Sequence, residues 1–402
     1  MTNLVSKPWK LVAVETHPIQ YKAPLFRQMA ADPRFDLTVL YAMIPDAAGQ
    51  GSGFGVSFAW DVPLLDGYHY EVLANRAEQP SVSYFSGCDT PGIYAWLKKN
   101  RPDAVLVNGW VVKTCLQTLL ACRRLRIPCI VRGEANLLRP RAWWKHLIHD
   151  LLLPNYSAFL AIGTASRNFY RFHRRPAERI FMAPYAIDND FFSARAAELA
   201  PLRTALREGL GIPPDACTFL FVGKLEQKKR LMDVLQALVR LREISDSQRF
   251  SVSAFLLVAG DGELMPDCKE FAVANSLPVT FAGFVNQSRL PEVYAAADVM
   301  VLPSDAGETW GLVVNEAMAS GRPAIVSRSV GCCRDLVTEG ETGFSFEVGD
   351  ISVLTEQMCR YLANPELAAK QGACAAEHIR QFSFTQIADG VAQAVYCVAQ
   401  ND

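Results

Sequence analysis

Long apolar runs are missing from this sequence of 402 residues. The first apolar run, Leu11–Val14, ends at Glu15, and the stretch 147–162 is interrupted by Asp150 and Pro154. A membrane-spanning helix needs roughly 18–20 consecutive apolar residues. We therefore expect neither a membrane span nor a signal peptide.

Paired cysteine spacings are missing as well. None of the 11 cysteines belongs to a Cys-x-x-Cys pair, and Pro128 breaks any helix that Cys122 and Cys129 could share. The adjacent Cys332 and Cys333 are poorly placed for an ordinary disulfide. This pattern predicts reduced thiols, a cytoplasmic protein and no structural zinc.

A strong overall charge is also absent, since 40 Lys and Arg residues face 41 Asp and Glu residues. Half of the residues are hydrophobic and a fifth are charged, which is typical of globular proteins. The charge is uneven, with 23 basic and 16 acidic residues in 1–200 against 17 and 25 in the remainder. The basic first half indicates either an anionic partner, such as a lipid head group or phosphate, or simple drift between domains. No nucleic-acid partner is expected.

Short apolar segments alternate with longer helical patterns along the chain. This alternation predicts parallel sheets with helices on both faces. Because the chain exceeds what one core usually supports, two domains are expected. The predicted fold class is α/β, with two Rossmann-like domains whose parallel sheets face a central cleft. The expected strands are 11–14, 35–41, 104–107, 129–131, 159–162, 219–222, 255–259, 279–281, 299–302 and 324–326.

The boundary between these domains is expected near 188–214. An Ala-rich, charged, helix-like stretch at 194–208 and the segment Gly211-Ile-Pro-Pro214 mark it. The glycine-rich segment Gly49–Gly55 cannot pack much core, so it is expected to be a mobile loop. Such a loop either gates a binding site or is a plain flexible connection.

The strand–loop–helix segment 297–321 carries the most informative chemistry. Its loop holds Glu308, and its helix begins near Gly311 and stops at Gly321. The N–H groups and partial positive charge at a helix start suit a diphosphate. Glu316 lies on an otherwise apolar helix, so it needs a hydroxyl or cationic partner. An internal salt bridge would explain either glutamate alone, whereas the pair favours a binding site.

A second candidate element follows the expected strand 219–222. Gly223 turns the chain, and Lys224 and Lys229 come before the next helix. Cations on a loop beyond a strand end can stabilise the charge that develops on a leaving diphosphate. Taken alone, the Lys-Lys-Arg run at 228–230 is more typical of a solvated helix start.

Together these segments resemble glycosyltransferase family 4 of the GT-B fold class. The resemblance is strong over 181–350 and weaker over 1–180. It rests on the following motifs: Glu308-x7-Glu316 with its flanks Ala297-Asp298…Pro303-Ser304 and Gly321-Arg-Pro-Ala-Ile325, Gly331 through Glu341-Thr-Gly343, Gly223-Lys224…Lys229, Ala282-Gly-Phe-Val285 with Leu290, and Pro184-Tyr-Ala-Ile-Asp188…Phe191.

The resemblance implies a nucleotide-sugar site in the second half. Glu308 is expected at the donor sugar and Glu316 at the ribose hydroxyls, while Lys224 and Lys229 hold the diphosphate. The other expected site residues are Gly223, Val285 and Leu290, and the backbone of Trp310, Gly311 and Leu312. Members usually need no metal because these cations replace it, so no metal and no other cofactor is expected.

The family pattern also implies the domain organisation. Residues 1–190 are expected to form an acceptor-side domain and 191–383 a nucleotide-sugar-binding domain, with the helix 384–402 crossing back to the first. Three positions depart from the family pattern. Arg230 stands where Gly is common, Tyr185-Ala186 where Asn-Gly is common, and Cys332 where a second Gly is common.

Candidate acceptor residues follow strands of the first domain. His17 either approaches a substrate or is an unremarkable turn residue. Arg132 and Glu134 either contact the acceptor or form an internal ion pair. The segment 139–149 mixes Arg and Lys with Trp, so it either lies on an anionic bilayer or is a buried helix with a basic rim.

The predicted function is retaining transfer of a hexose-type sugar from a nucleoside diphosphate, with UDP favoured over GDP. The acceptor is expected to be a glycan, a glycolipid or a small hydroxyl compound, in cell-surface polysaccharide or glycoconjugate synthesis. The expected location is the cytoplasm, including the inner face of the membrane. A sugar-nucleotide epimerase and a non-catalytic sugar-nucleotide-binding protein remain as alternatives.

Overall fold

The computed structural model describes residues 7–46, 58–247, 250 and 252–399. These residues form two compact units. Unit 1 holds 7–46, 62–185 and 384–399, and unit 2 holds 58–61 and the described part of 186–383. The expected glycine-rich loop Gly49–Gly55 lies outside the described residues.

Unit 1 is built on a seven-stranded, wholly parallel sheet in the order β3-β2-β1-β4-β5-β6-β7. The chain adds β2 and β3 on one side of β1 and β4 to β7 on the other, so the order reverses between β1 and β4. The strands are β1 (Trp9–Glu15), β2 (Phe35–Tyr41), β3 (His69–Val72), β4 (Ala104–Asn108), β5 (Cys129–Gly133), β6 (Ala158–Ala161) and β7 (Ile180–Met182).

Helices lie between most consecutive strands of unit 1, in agreement with the alternation expected from the sequence. The central strands β4, β5 and β6 are almost wholly buried, as expected for a parallel sheet that is covered on both faces. The helices are α1 (Ala23–Ala31), α2 (Ile93–Asn100), α3 (Lys113–Leu125), α4 (Trp143–Leu152) and α5 (Thr164–Phe172).

Unit 2 contains a six-stranded parallel sheet in the order β10-β9-β8-β11-β12-β13. Its order reverses between the neighbouring strands β8 and β11. The strands are β8 (Cys217–Val222), β9 (Ala254–Ala259), β10 (Val279–Gly283), β11 (Val299–Leu302), β12 (Ala324–Ser327) and β13 (Gly343–Phe346).

The helices of unit 2 bury their apolar faces against this sheet. Phe219, Phe221 and Leu235 lie in the core between β8 and the first long helix after it. The helices are α6 (Asn189–Leu199), α7 (Arg203–Gly209), α8 (Leu231–Ser247), α9 (Met265–Ala274), α10 (Leu290–Ala296), α11 (Leu312–Ala319), α12 (Cys333–Leu336), α13 (Ile351–Ala363) and α14 (Glu366–Ile379).

The last helix, α15 (Phe384–Ala399), belongs to unit 1. A Cβ at Gly390 would lie 2.0 Å from the carbonyl oxygen of Met182, so glycine allows the helix to lie directly on β7. Asp389 pairs with Arg34 at 2.7 Å, and the Gln28 amide donates to the Thr385 hydroxyl at 2.8 Å.

Helix α4 has no buried residue. The exposed fractions of Trp143 and Leu151 are 74% and 77%. The interpretation of 139–149 as a buried helix with a basic rim is therefore wrong. Among the described residues, no helix is both long and apolar enough to span a bilayer.

The ten expected strands are confirmed to within two residues of their ends, and the structure adds β3, β7 and β13. Strand β3 is an edge strand with mostly exposed side chains, so it carries no apolar run. Strand β7 has three residues, and β13 begins at Gly343, with φ +151°. A Cβ on Gly343 would lie 1.9 Å from the carbonyl oxygen of Ala324. Close packing against β12 therefore requires glycine at this position. Glycine in a sequence usually indicates a turn, so this strand was not expected.

Candidate functional site

The candidate site of unit 2 lies at the point where the strand order of its sheet reverses, between β8 and β11. Parallel sheets of this kind bind ligands beyond the carboxyl ends of the strands at such a reversal. The loop 223–230 follows β8, and the loop 303–311 follows β11, which is its neighbour in the sheet. The two motifs, although about eighty residues apart along the chain, therefore meet at one edge of the sheet.

Glycines shape the loop after β8. Gly223 has φ +147°, a backbone conformation that residues other than glycine rarely adopt. A Cβ at Gly260, on the loop after the neighbouring β9, would lie 1.8 Å from the carbonyl oxygen of Gly223. The Lys229 side chain folds back over this turn, with Cε 3.6 Å from where a Gly223 Cβ would stand. Burial lowers the pKa of Lys224.

Lys229 and Glu308 form an ion pair that joins the two motifs. Their side chains are only 12% and 16% exposed. The Asp305 N–H donates to the carbonyl of Lys228 at 2.9 Å, which holds the two loops together through their backbones. The expected diphosphate cation thus touches the expected sugar-facing carboxylate, a contact that the sequence did not predict.

The turn that presents Glu308 is held by Asp305. The carboxylate of Asp305 accepts from the N–H of Gly307 at 2.7 Å, and its carbonyl accepts from the N–H of Glu308 at 3.0 Å. These bonds fix the backbone from which the Glu308 side chain projects toward Lys229.

Helix α11 begins directly after Gly311, which has φ +101°. A Cβ on Gly311 would lie 2.7 Å from the Leu302 side chain, so conformation and packing both require glycine. Leu312 opens the helix, where the first N–H groups have no acceptor within the helix. Trp310 is 2% exposed, and its indole N–H donates to Asn315 at 2.9 Å. The Trp310 side chain therefore anchors the helix start.

Glu316 is 7% exposed and accepts a hydrogen bond from the Tyr294 hydroxyl at 2.7 Å. The expectation that this carboxylate needs a hydroxyl or cationic partner is confirmed. Burial raises the pKa of Glu316 to about 7, against the opposing hydrogen bonds from Tyr294 and Gln287. Sequence reasoning missed Tyr294 because a tyrosine in an Ala-rich helix carries no site signal.

Val285 lies in the loop between β10 and α10, and Leu290 is the first residue of α10. Val285 lines a cavity of about 470 Å³ that also contacts α7, whereas Leu290 is 8% exposed. The neighbouring Phe284 lies against Phe58, with ring centroids 4.1 Å apart. The Asn286 amide donates to the carbonyl of Ala59 at 2.9 Å. Residues 58–61 therefore pack on this loop, which the sequence did not indicate.

In unit 1, His17 follows β1, and Arg132 and Glu134 belong to the end of β5 and the residues after it. His17 is partly buried, its Nδ1 lies 2.9 Å from the Thr16 hydroxyl, and burial lowers its pKa to about 4. Arg132 donates to the carbonyl of Ala183 at 3.1 Å.

A buried ion pair accompanies these residues. Glu15 is 3% exposed and pairs with Lys22 at 2.8 Å, while Asn108 donates to the other carboxylate oxygen. Burial raises the pKa of Glu15, against the attraction of Lys22. Glu15 and Asn108 close β1 and β4, the strands at which the sheet of unit 1 reverses. The signal for Glu15 was present, since a charged residue ends an apolar strand.

The structure gives a contact for each of the three departures from the family pattern. Arg230 has φ 52°, where glycine is unstrained, and its guanidinium binds Asp233 at 2.7 Å. The Tyr185 ring lies 4.5 Å below the guanidinium of Arg132, and its hydroxyl donates to Glu134. Cys332 is fully buried, with Sγ 3.9 Å from the carbonyl oxygen of Gly311.

Solved structures with the same architecture cover nearly the whole chain. Anabaena HepE in complex with UDP and glucose has a TM-score of 0.71 at 17% identity over 96% of this chain and 99% of HepE. Sucrose-phosphate synthase from Thermosynechococcus elongatus has a TM-score of 0.72 at 19% identity over 98% and 100% of the two chains. This likeness confirms the expected GT-B fold class.

The sequence matches a family model described as glycosyl transferases group 1 over residues 203–378. A D-inositol 3-phosphate glycosyltransferase of Streptomyces scabiei is 31% identical over 50% of this chain and 45% of the relative. N-acetyl-alpha-D-glucosaminyl L-malate synthase of Bacillus anthracis is 31% identical over 50% of each chain. The chain spans about half the length of these relatives.

One match extends further into unit 1. A D-inositol 3-phosphate glycosyltransferase of Xylanimonas cellulosilytica is 30% identical over 302 residues, which are 74% of this chain and 67% of the relative. The family model spans both motifs at the reversal point of the second sheet. The chain belongs to the glycosyl transferases group 1 family.

Proposed function

We propose that this protein transfers a hexose-type sugar from a nucleoside-diphosphate sugar to a hydroxyl acceptor, with retention of configuration. The ion pair of Lys229 with Glu308 at the reversal point of the unit 2 sheet carries this proposal, with Lys224 on the first of the two loops and Glu316 on the helix that follows the second. UDP is the preferred nucleotide, supported by the fold likeness to HepE, which was solved with UDP and with UDP-glucose.

Each part of the donor has a partner of suitable chemistry. The carboxylate of Glu316 accepts from the ribose hydroxyls, displacing part of its bonding to Tyr294. Lys224, Lys229 and the N–H groups that open α11 bind the diphosphate. Once the diphosphate binds Lys229, the Glu308 carboxylate is released to hydrogen-bond the sugar hydroxyls. Val285 and Leu290 border the place of the nucleotide base.

The proposed reaction needs no general base from the protein. The acceptor oxygen attacks the anomeric carbon from the side of the departing diphosphate, as the bond from that carbon to the phosphate oxygen breaks. The acceptor proton passes to the departing phosphate oxygen. The two lysines stabilise the negative charge that grows on the diphosphate, which lowers the barrier because that charge is larger in the transition state than in the bound donor.

We assign acceptor recognition to unit 1, through His17, Arg132 and Glu134. Burial keeps His17 neutral above a pH of about 4, so it serves as a hydrogen-bonding group rather than a cation. The acceptor is a glycan, glycolipid or small hydroxyl compound, in cell-surface polysaccharide or glycoconjugate synthesis. Two relatives are named for D-inositol 3-phosphate and L-malate, which supports a hydroxyl acceptor.

A screen of sugar nucleotides tests the function. A ligand that binds the folded state raises its stability, so UDP-sugars should raise the Tm by several degrees and more than GDP-sugars do. With an acceptor and EDTA present, transfer should continue, because Lys224 and Lys229 take the place of a metal and the loops 223–230 and 303–311 contain no Asp-x-Asp segment. NMR of the product should show the donor's anomeric configuration.

The other outcomes of this screen are equally informative. Loss of turnover with EDTA that Mg²⁺ or Mn²⁺ restores would overturn metal independence. An inverted anomer would overturn retention. Epimerised sugar nucleotide formed without acceptor would identify an epimerase, and stabilisation without donor hydrolysis or transfer would identify a binding protein.

We further propose that α4 docks this protein on an anionic bilayer. Trp143, Trp144, Leu147, Ile148 and Leu151 form one exposed apolar face of the helix. Exposed Arg139 and Lys145 accompany this face, which therefore combines the apolar and cationic groups of an interfacial helix. Phe172 at the end of α5 is 56% exposed and lies beside His146 of α4, with ring centroids 5.2 Å apart.

Sedimentation with liposomes tests this docking. Phosphatidylglycerol vesicles should bind the protein at low salt, since each surface Lys or Arg contributes about 1 kcal/mol near an anionic leaflet. Binding should fall at 1 M salt, where the Debye length is about 3 Å. Replacing Leu151 by Ser should weaken binding, whereas Val273→Ser, at a 79% exposed position of α9, should not. Equal sedimentation of the two variants would contradict the assignment to α4.

A further inference from the structure

Three of the six histidines converge in unit 1, whereas the residues assigned to the donor belong to unit 2. His146 and His149 lie one turn apart on α4, and His173 follows α5. One ring nitrogen of each residue lies within 4.8 Å of the corresponding nitrogens of the other two. The fold thus brings together three imidazoles that the sequence separates by up to 27 positions.

The nitrogen spacing suits a tetrahedral metal. His146 Nδ1 and His173 Nε2 are 3.4 Å apart. With metal–nitrogen bonds of about 2.0–2.1 Å, two ligands of a tetrahedral zinc ion stand roughly 3.3–3.4 Å apart. This distance is long for a hydrogen bond between two imidazoles. One edge of the coordination tetrahedron is therefore already present.

Asp150 prepares His173 for this role. Its carboxylate lies 2.7 Å from His173 Nδ1. A carboxylate at this distance accepts a hydrogen bond from Nδ1–H, which leaves the lone pair on Nε2, the nitrogen that faces His146. Metal-binding histidines usually donate their other N–H to a carboxylate or carbonyl in this manner.

The third imidazole supplies an independent observation. Within the part of the chain that the structure describes, Nδ1 of His149 is buried and has no hydrogen-bond partner. A buried polar atom without a partner is costly, and a metal bond would satisfy it. His173 is 1% exposed, whereas His146 and His149 are partly exposed, so an ion can reach the cluster from solvent.

We propose that His146, His149 and His173 bind one divalent transition-metal ion of the zinc class, with a fourth coordination position open to water. Imidazole nitrogen is a good ligand for such ions, whereas Mg²⁺ and Ca²⁺ prefer oxygen. The ion would fasten α4 to the end of α5. Its ligands belong to unit 1, and none of them is among the residues for which metal-independent chemistry is proposed in unit 2.

Zinc titration of the full chain tests this site. The tag-free protein carries Cys374→Ser, because that exposed thiol could bind zinc by itself, and it is stripped of metal beforehand. Calorimetry with ZnCl2 should show one saturable site per chain, and Co²⁺ should give the visible absorption of a tetrahedral complex. Zinc should also raise the Tm, because the ion binds only the folded arrangement.

Matched variants identify the ligands. Asp150→Asn should weaken zinc binding roughly 10- to 100-fold, and His146→Gln and His173→Gln at least as much. His69→Gln removes a histidine whose side chain is 66% exposed on β3, and it should change nothing. If the buried His173 variant fails to fold, the partly exposed His146 and exposed Asp150 variants still decide the matter.

Two results would overturn the site. One is the absence of saturable zinc binding in the parent protein. The other is zinc affinity that stays within threefold of the parent in both His146→Gln and Asp150→Asn. In either case the three imidazoles form only an aromatic cluster, in which the rings of His146 and His173 stack 5.3 Å apart. Neither result bears on sugar transfer, because the readout is metal binding.

Discussion

Replacing Glu316 by Gln should weaken UDP binding while making the ligand-free protein more stable at pH 8. The ribose hydroxyls lose a charged acceptor, which costs about 1.5–3 kcal/mol of binding free energy. Glutamine keeps an oxygen for the Tyr294 hydroxyl, so the packing of α11 against α10 is retained. Calorimetry with UDP measures the loss, and denaturant unfolding at several pH values measures the gain.

The gain in stability follows from the direction of the pKa shift. Burial raises the pKa of Glu316 from 4.5 to about 7, so between these values the folded protein holds a proton that the unfolded chain releases. Stability therefore falls as pH rises through this window, and the whole cost is present above pH 7. At 1.36 kcal/mol per pH unit, it amounts to about 3 kcal/mol, which the neutral glutamine avoids.

The control for this prediction is Glu356→Gln. The Glu356 side chain is 62% exposed and pairs with Arg360 on α13. This variant should change neither UDP affinity nor the dependence of stability on pH. If Glu316→Gln leaves UDP affinity unchanged, the assignment of Glu316 to the ribose fails. If it gains no stability at pH 8 relative to pH 4, the burial of an ionised carboxylate is not costly at this position.

Replacing Lys229 by Met should lower kcat by roughly 10²- to 10³-fold, the usual effect of removing one group that stabilises transition-state charge. The adjacent Lys228 offers a matched control, because its ammonium pairs with Glu226 at 3.1 Å and its side chain is 44% exposed. Lys228→Met should keep kcat within about twofold, since an exposed pair of this kind contributes little. Transfer rates with a UDP-sugar donor compare the two variants.

Ligand affinities separate a diphosphate role from a structural one. Lys229→Met should lose affinity for UDP but not for uridine, which has no phosphate. Equal losses for both ligands would indicate that the ion pair with Glu308 only shapes the loops. A kcat that remains near that of Lys228→Met would show that the diphosphate depends on Lys224 and the start of α11 instead.

Much of the local structure around the candidate site could be predicted because its signals are local. Gly223 and Gly311 were expected where the chain turns or the backbone approaches closely, and both residues have a positive φ. The alternation of apolar strands and amphipathic helices predicted parallel sheets, since helical crossovers join parallel strands. Glu316 was expected to need a partner because a carboxylate on an apolar helix face cannot remain unsatisfied.

The departures from the family pattern show where local reasoning ended. Arg230 occupies a left-handed conformation that glycine adopts without strain, and its partner Asp233 lies three residues away. A motif comparison shows that Arg230 is unusual at this position. Its ion pair with Asp233, however, could be recognised only from the geometry of the helix start. Likewise, Trp143 and Leu151 are exposed because no other element covers this face of α4 in the described part of the chain. The spacing of apolar residues along the helix could not predict this exposure.

The sequence by itself determined ten of the thirteen described strands, the glycine turns and the candidate donor residues, because each depends on neighbours within a few positions. Tertiary structure alone decided that β8 lies beside β11, and hence that Lys229 meets Glu308, 79 residues away. It alone placed Tyr294 on Glu316 and gathered His146, His149 and His173. The order of strands in a parallel sheet is set by which crossovers bury most apolar surface, and that choice depends on the whole chain at once.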